Sequence, residues 1–271
     1  MKIGVCLEMF FTDQPFLKRI GLAAEAGARF AEMWFIDGTF DGKGIDSADA
    51  KNPGKVRAAA EKAGVTLTNA VIGSPDGSLG GGLTRPSRRK EWLKRTDRTF
   101  AFCKEAGIRA AIVCTGNVVP GQSRAAMRRS VLEGLKATAE RAEKAGIDLF
   151  LEPLNDRVDH AGYFCTSSDE GAALCRAVKS PRMKMLFDCY HMQTMEGDLI
   201  RHIEANIDVI GHFHAAGVPG RHELQGCEVN YPHLLARIEA LRYQGVFALE
   251  YMPALESGAS LRKALKYLPA R

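Results

Sequence analysis

Short apolar segments alternate with amphipathic helical patterns along the whole of this 271-residue chain. Parallel strands that are covered on both faces read as nearly continuous apolar runs, and these segments have that character. Eight such segments occur, near residues 3–8, 30–36, 66–72, 109–114, 147–152, 184–188, 209–214 and 246–251. Helical patterns lie between them, near 16–26, from 52–53 onward, and near 88–106, 123–145, 168–178, 195–206, 231–243 and 258–268.

The ends of the helical patterns carry signals of their own. Asn52-Pro53 is typical of an N-cap followed by proline in the first helical position. The pair Ala-Gly closes four helices, at Ala26-Gly27, Ala63-Gly64, Ala106-Gly107 and Ala145-Gly146. A glycine just past a helix can adopt the left-handed conformation that ends it. A strand follows each of these pairs within a few residues, so the helices alternate regularly with strands.

Eight strand–helix units without a break in composition predict one domain over residues 1–271. We expect an α/β fold of the (β/α)8 TIM barrel type, which typically takes about 250 residues. A doubly wound open sheet is the alternative. It would need a glycine-rich turn after the first strand, and Glu8-Met9-Phe10-Phe11 stands there instead.

Composition excludes several classes of partner. The net charge of +5 is modest, and the basic residues between positions 85 and 98 are spaced to lie mostly on a solvated helix face, so we expect no nucleic-acid partner. The seven cysteines show no C-x-x-C spacing and predict reduced thiols in a cytoplasmic protein. We expect no membrane association, because no apolar run approaches the roughly 20 residues of a membrane span. The sequence does not determine the oligomeric state, and a homo-oligomer is possible.

Four polar residues end the last four predicted strands: Glu152, Asp188, His214 and Glu250. In a barrel the carboxyl ends of the strands meet at one face and hold the active site. Burying several charges together is costly unless something compensates them. Three carboxylates and one imidazole suit one divalent metal ion, which we expect to be Mn, Mg or Co, with Zn as a further option.

Longer motifs add a resemblance to a known family. The most specific are the stretch Asp188-Cys189-Tyr190-His191-Met192-Gln193 and the loop Pro219-Gly220-Arg221-His222-Glu223. Together with Glu152-Pro153-Leu154-Asn155, they resemble the xylose isomerase-like superfamily of sugar isomerases and epimerases. Within it, the hydroxypyruvate isomerases and 2-oxo-tetronate isomerases are the most similar, over nearly the whole chain.

The resemblance implies roles for matching positions. Glu152 and Glu250 would transfer protons as well as hold the metal, and His191 and Arg221 would bind the substrate. Two regions depart from the isomerase pattern. The ligand on the seventh strand is often glutamine in hydroxypyruvate isomerases, whereas His214 is more like the ketose 3-epimerases. The glycine-rich loop 73–82 does not match the isomerases either.

The leading interpretation is therefore an isomerase that interconverts hydroxypyruvate and tartronate semialdehyde, or a related 2-oxo-tetronate, by proton transfer through an enediolate. Its partner would be this small hydroxy-carbonyl substrate. A divalent-metal-dependent ketose 3-epimerase is the alternative. A non-catalytic sugar-binding barrel is a further one, and it would bind metal weakly or not at all. An endonuclease of the superfamily would need extra histidines on the third and fourth strands, which end without them.

Overall fold

The computed structural model describes residues 1–268 and shows a closed barrel of eight parallel strands. The barrel strands are β1 (Lys2–Cys6), β2 (Phe30–Met33), β5 (Thr66–Val71), β6 (Ala110–Val113), β7 (Asp148–Leu151), β8 (Met183–Asp188), β9 (Ile210–Ala215) and β10 (Val246–Leu249). Two short strands, β3 (Thr39–Phe40) and β4 (Ile45–Asp46), form a separate hairpin. Pairing of β1 with both β2 and β10 closes the barrel, which confirms the predicted fold class.

Helices cover the outside of the barrel. They are α1 (Phe16–Glu25), α2 (Pro53–Ala63), α3 (Arg89–Ala106), α4 (Arg124–Ala145), α5 (Ser168–Val178), α6 (Cys189–Met195), α7 (Leu199–Asn206), α8 (Tyr231–Ala240) and α9 (Ser257–Tyr267). The predicted helix signals are confirmed at α2, where the Asn52 side chain accepts a hydrogen bond from the backbone N–H of Lys55. Gly64, Gly107 and Gly146 all have φ between 67° and 78°, as left-handed C-cap positions require.

The sequence did not predict two local features. The helix expected over residues 195–206 is the shorter α7, and an additional helix, α6, precedes it. Helix α6 begins directly after β8 because the Asp188 side chain caps it. The hairpin of β3 and β4 lies in the long connection after β2, where a two-residue strand gives too short a pattern to detect.

The basic residues between positions 85 and 98 are exposed or half-exposed, with one exception. Arg95 is buried, and its Nε donates a 2.8 Å hydrogen bond to the carbonyl of Ile72. Its guanidinium also pairs with Asp37. Arg95 therefore ties α3 to the loops that follow β2 and β5.

All seven cysteines are free, and six of them are buried. Burial raises the pKa of Cys114, which lines the barrel mouth, so that it stays a neutral thiol. Across residues 1–268, no helix combines the length and apolar character needed to cross a bilayer.

Candidate metal centre and active site

The structure brings the four predicted ligands together at the carboxyl end of the barrel. Glu152 and Glu250 directly follow β7 and β10, Asp188 is the last residue of β8, and His214 lies near the end of β9. Each offers one ligand atom, and these atoms all lie within 4.8 Å of one another. All four side chains are buried, with at most 6% of each residue exposed.

His214 stands at the centre of this cluster. Its Nδ1 lies 3.2 Å from Glu152 Oε1, 3.4 Å from Glu250 Oε2 and 4.0 Å from Asp188 Oδ2. One ring nitrogen thus faces all three carboxylates. An ion bound between the carboxylates would therefore also lie close to this nitrogen.

The two carboxylate oxygens of Asp188 have different roles: one caps a helix, and the other is directed toward the cluster. Oδ1 accepts hydrogen bonds from the backbone N–H groups of Tyr190 and His191, at 2.7 and 3.2 Å, and so starts α6. Helix capping of this kind fixes a side chain in one orientation. Oδ2 is consequently directed toward the cluster.

Two donors outside the cluster hold Glu250. The indole Nε1 of Trp34 donates a 2.8 Å hydrogen bond to Oε1, and Arg221 Nη2 donates a 2.5 Å hydrogen bond to Oε2. Trp34 lies just after β2, and Arg221 lies in the loop after β9. Glu250 is therefore positioned from both sides of the barrel mouth.

The pKa values of the clustered carboxyl groups show that the positive charge near them does not compensate all three carboxylates. Burial raises the pKa of Glu152 to about 7 and that of Asp188 to about 6. Burial also acts on Glu250, but His214 and Arg221 hold its pKa down at about 2. Burial opposes protonation of His214, yet Glu32 and Glu250 raise its pKa well above the ordinary value.

These residues fit the divalent ion that the sequence predicted. Three carboxylates and an imidazole are ligands for hard to borderline cations such as Mn²⁺, Mg²⁺, Co²⁺ or Zn²⁺. A cation at this place would supply the charge that the raised pKa values of Glu152 and Asp188 show to be missing. The donors could thus hold an ion without rearranging any strand.

A second polar layer supports His214 from below, and sequence reasoning missed it. Glu32 on β2 lies 2.5 Å from His214 Nε2 and 2.8 Å from His212 Nε2. Asn69 on β5 donates a 2.9 Å hydrogen bond to the same carboxylate. A carboxylate on the outer nitrogen of a ligand histidine fixes its ring and tautomer. The spacing of His212 and His214, two apart on one strand, is the signal that could have revealed this layer.

A cavity of about 510 Å³ opens above the cluster. Trp34, Phe35, Phe40 and Ile45 give it an apolar wall, which includes both strands of the hairpin. The predicted glycine-rich loop 73–82 forms another part of the lining through residues 74–76, 78 and 79. Within that loop, the Asp76 carboxylate accepts hydrogen bonds from the Ser74 hydroxyl and the Ser78 backbone N–H, which gives the turn a fixed shape.

A buried ion pair anchors the hairpin wall. Lys51 Nζ lies 2.7 Å from Glu8 Oε1, and both side chains are at most 1% exposed. The same ammonium group donates hydrogen bonds to the carbonyls of Phe35 and Gly38, at 2.8 and 2.5 Å. The other oxygen of Glu8 accepts a 3.1 Å hydrogen bond from the backbone N–H of Trp34. The ion pair thus connects the start of the hairpin loop to the residue that holds Glu250.

The two predicted substrate-binding residues both line the cavity. His191 is fully buried, and Asp188 Oδ2 lies 3.5 Å from its Nε2 without hydrogen-bond geometry. Among residues 1–268, no group accepts a hydrogen bond from His191 Nε2 or from the buried Nε of Arg221. Burial lowers the pKa of His191 well below its ordinary value, so its ring is neutral. Two nitrogen groups are thus left for a ligand in the cavity.

Comparison with known proteins assigns the family. The sequence profile described as "xylose isomerase-like TIM barrel" matches residues 20–271 of the chain. The chain therefore belongs to the xylose isomerase-like TIM barrel family, as its motifs predicted.

Two curated relatives indicate which class of enzyme within the family this chain belongs to. A 2-oxo-tetronate isomerase of Cupriavidus necator is 33% identical over 97% of this chain and 96% of its own length. A hydroxypyruvate isomerase of Escherichia coli is 29% identical over 97% of both chains. The predicted enzyme class, an isomerase, is confirmed by these relatives.

Two solved structures share the fold. The crystal structure titled AP endonuclease, family 2 from Brucella melitensis matches with a TM-score of 0.87, at 26% identity and 99% coverage of both chains. A D-allulose 3-epimerase from Methylomonas sp. matches with a TM-score of 0.80, at 17% identity, covering 98% of this chain and 96% of its own. The second likeness concerns the fold alone.

Proposed function

We propose that this isomerase requires one divalent metal ion and acts on a small hydroxy-carbonyl acid, either hydroxypyruvate or a 2-oxo-tetronate. One observation carries the proposal: a cluster of three carboxylates and His214 lies beneath a cavity into which His191 and Arg221 present nitrogen groups without partners. The names of the two curated relatives support the same substrate class. The predicted cytoplasmic location and single domain stay predictions.

Glu152, Asp188, His214 and Glu250 would hold the ion. When bound, it would stabilise the negative charge that develops on the substrate oxygens as a proton leaves the neighbouring carbon. Both glutamates lie beside His214 Nδ1, at 3.2 and 3.4 Å, with their carboxylates open to the cavity. One glutamate would remove the proton from the carbon that bears the hydroxyl group, and the other would return a proton to the adjacent carbon. The hydroxyl proton would pass to the former carbonyl oxygen, so that a new carbonyl and a new hydroxyl group result.

Arg221 carries the preference for an acid. Its guanidinium already donates one hydrogen bond to Glu250, and its buried Nε still lacks an acceptor. A substrate carboxylate would satisfy that donor and add a favourable charge interaction. A lysine ammonium group cannot reproduce the planar array of donors of the Arg221 guanidinium.

The ketose 3-epimerase alternative is favoured by His214, since histidine at this place resembles the epimerases. It would use the same glutamates on a neutral sugar. An endonuclease of the superfamily is not proposed, because residues 69–73 at the end of β5 and residues 114–116 just after β6 contain no histidine.

The test is a substrate screen by NMR in D₂O with full-length protein and added Mn²⁺ or Mg²⁺. We expect hydroxypyruvate or 2-oxo-tetronate to be turned over, with deuterium entering at carbon, faster than fructose, tagatose or psicose. A preference for a neutral ketose, with exchange at carbon 3, would establish the epimerase instead. Absence of both metal binding and exchange would identify a non-catalytic barrel.

A paired variant tests the role of Arg221. Arg221→Lys should lower kcat/KM for the acid by about 10–100-fold, which corresponds to one charged hydrogen bond of about 1.5–3 kcal/mol, and should lower it less for a ketose. Arg201→Lys, at an exposed arginine on α7, serves as the control. Equal losses for acid and ketose would remove Arg221 from carboxylate recognition.

A further inference from the structure

Asn155 is a buried residue with a complete set of hydrogen bonds, and it contacts His191, which lies beside Asp188 of the four-residue cluster. It follows β7 by four residues, and none of it is exposed. Its side-chain Oδ1 accepts hydrogen bonds from the backbone N–H groups of Val158 and Asp159, each at 3.0 Å. Its Nδ2 lies 2.6 Å from Asp159 Oδ2 and 2.7 Å from His191 Nδ1.

These contacts determine which way the amide points. If the amide were flipped, its oxygen would face the Asp159 carboxylate at 2.6 Å, and its NH₂ group would face two backbone N–H groups. Each of these two contacts of the flipped amide would place an acceptor against an acceptor or a donor against a donor. The oxygen of Asn155 therefore faces the backbone, and its NH₂ group faces His191.

The orientation of Asn155 in turn fixes the proton on His191. Nδ1 of the imidazole receives the Asn155 NH₂ group at 2.7 Å and the Asn155 backbone N–H at 3.3 Å. A nitrogen that faces two donors must act as the acceptor, so it carries no proton. The single proton of the neutral ring is then on Nε2.

We propose that Asn155 is a positioning residue that locks His191 in the Nε2–H tautomer, so that His191 donates a hydrogen bond to a substrate oxygen and does not act as a base. His191 Nε2 is buried, belongs to a ring that lines the cavity, and has no acceptor within residues 1–268. A carbonyl or carboxylate oxygen of the substrate would satisfy it. The catalytic part of this inference rests on the proposed isomerase function, whereas the tautomer does not.

The tautomer can be measured directly. We expect ¹⁵N NMR of the imidazole-labelled full-length protein with Mg²⁺ to show His191 with a bare Nδ1 and a protonated Nε2. The signals that vanish in His191→Gln identify this ring among the seven histidines. A proton on Nδ1 in the wild type, on either the neutral or the charged ring, would overturn the proposal even if the substrate screen bears out the proposed hydroxy-carbonyl acid.

The isosteric variant Asn155→Asp should place a proton on Nδ1, because the new carboxylate would face both this nitrogen and Asp159, and a proton on the ring would offset the two adjacent negative charges. The matched control is Asn206→Asp on α7, where a buried asparagine also donates to an aspartate, Asp169, at 3.0 Å. The control should leave the His191 signals unchanged. If Asn155→Asp folds and the tautomer is unchanged, Asn155 does not determine it.

A double-mutant cycle separates positioning from general destabilisation. Asn155→Ala should lower kcat/KM by about 10-fold or more, since the hydrogen-bond donor to the substrate is no longer held in one state. In the His191→Gln background the same change should cost less than about 2-fold, because its effect passes through a ring that is gone. Full additivity of the two losses would contradict the proposal. This cycle needs only the folded Ala variant, so it holds even if Asn155→Asp does not fold.

Discussion

The buried pair of Glu8 and Lys51 offers a test of how the cavity wall is held. Lys51→Met keeps the apolar length of the side chain but removes the ammonium group. It leaves the Glu8 carboxylate, 1% exposed, without its counter-charge at 2.7 Å, and it leaves the carbonyls of Phe35 and Gly38 without a donor. Removing one partner of a buried ion pair typically costs about 3–5 kcal/mol, because the remaining charge is uncompensated.

We expect this loss in urea unfolding as a lower midpoint at constant m value. For a domain of this size, a loss of 3–5 kcal/mol corresponds to a fall in Tm of the order of 10 °C. The control is Lys55→Met at an exposed position of α2, which should change the free energy of unfolding by no more than about 0.5 kcal/mol.

The double variant Glu8→Gln/Lys51→Met should recover much of the loss, since no buried charge remains. A coupling energy of about 2 kcal/mol or more between the two positions is expected for residues in direct contact. If Lys51→Met costs less than about 1 kcal/mol, or if the double variant is as unstable as the sum of the single ones, the buried pair does not hold this wall.

Three further predictions concern the proposed metal ligands and the residue that supports His214. Asp188→Ala should lose the metal, by elemental analysis of purified protein, while circular dichroism shows an intact fold; a full metal content would disprove the ligand assignment. Glu32→Gln should weaken metal affinity by about 10–100-fold, because Glu32 lies 2.5 Å from His214 Nε2 and orients that ring; unchanged affinity in a metal titration would show that the ring needs no such support. Glu250→Gln, assayed with excess metal, should lower turnover by about 100-fold or more, and near-normal turnover would leave it a ligand only.

The sequence allowed prediction of the barrel because its strands are buried on both faces and are written as short apolar runs. The four clustered residues were predictable for the same reason, since a carboxylate or imidazole at the end of an apolar run is conspicuous. Glu32 was not, because it lies within β2 and its partners His212 and Asn69 come from strands far away in sequence. The spacing of His212 and His214 on β9 places both rings on one face, but it does not identify Glu32 as their partner.

The ion pair of Lys51 with Glu8 and the hydrogen bond from Asn155 to His191 were also beyond sequence reasoning. Each joins residues 36 or more positions apart, and each residue alone is compatible with an exposed loop. Helix α6 was missed because its N-cap, Asp188, had already been interpreted as the end of a strand. One residue serves both elements, and residue patterns assign it to only one.

The two halves of the chain contribute different parts of this site, because of the order of the strands. All four clustered residues come from the last four strands, β7 to β10, whereas the hairpin wall, Trp34 and the loop 73–82 come from the first half. Substitutions in the first half can therefore reshape what the cavity admits while the proposed proton-transfer groups stay in place. A library confined to residues 35–46 and 73–82 would explore new substrates at little risk to the chemistry. The exceptions are Trp34 and Glu32, through which the two halves touch at the cluster itself.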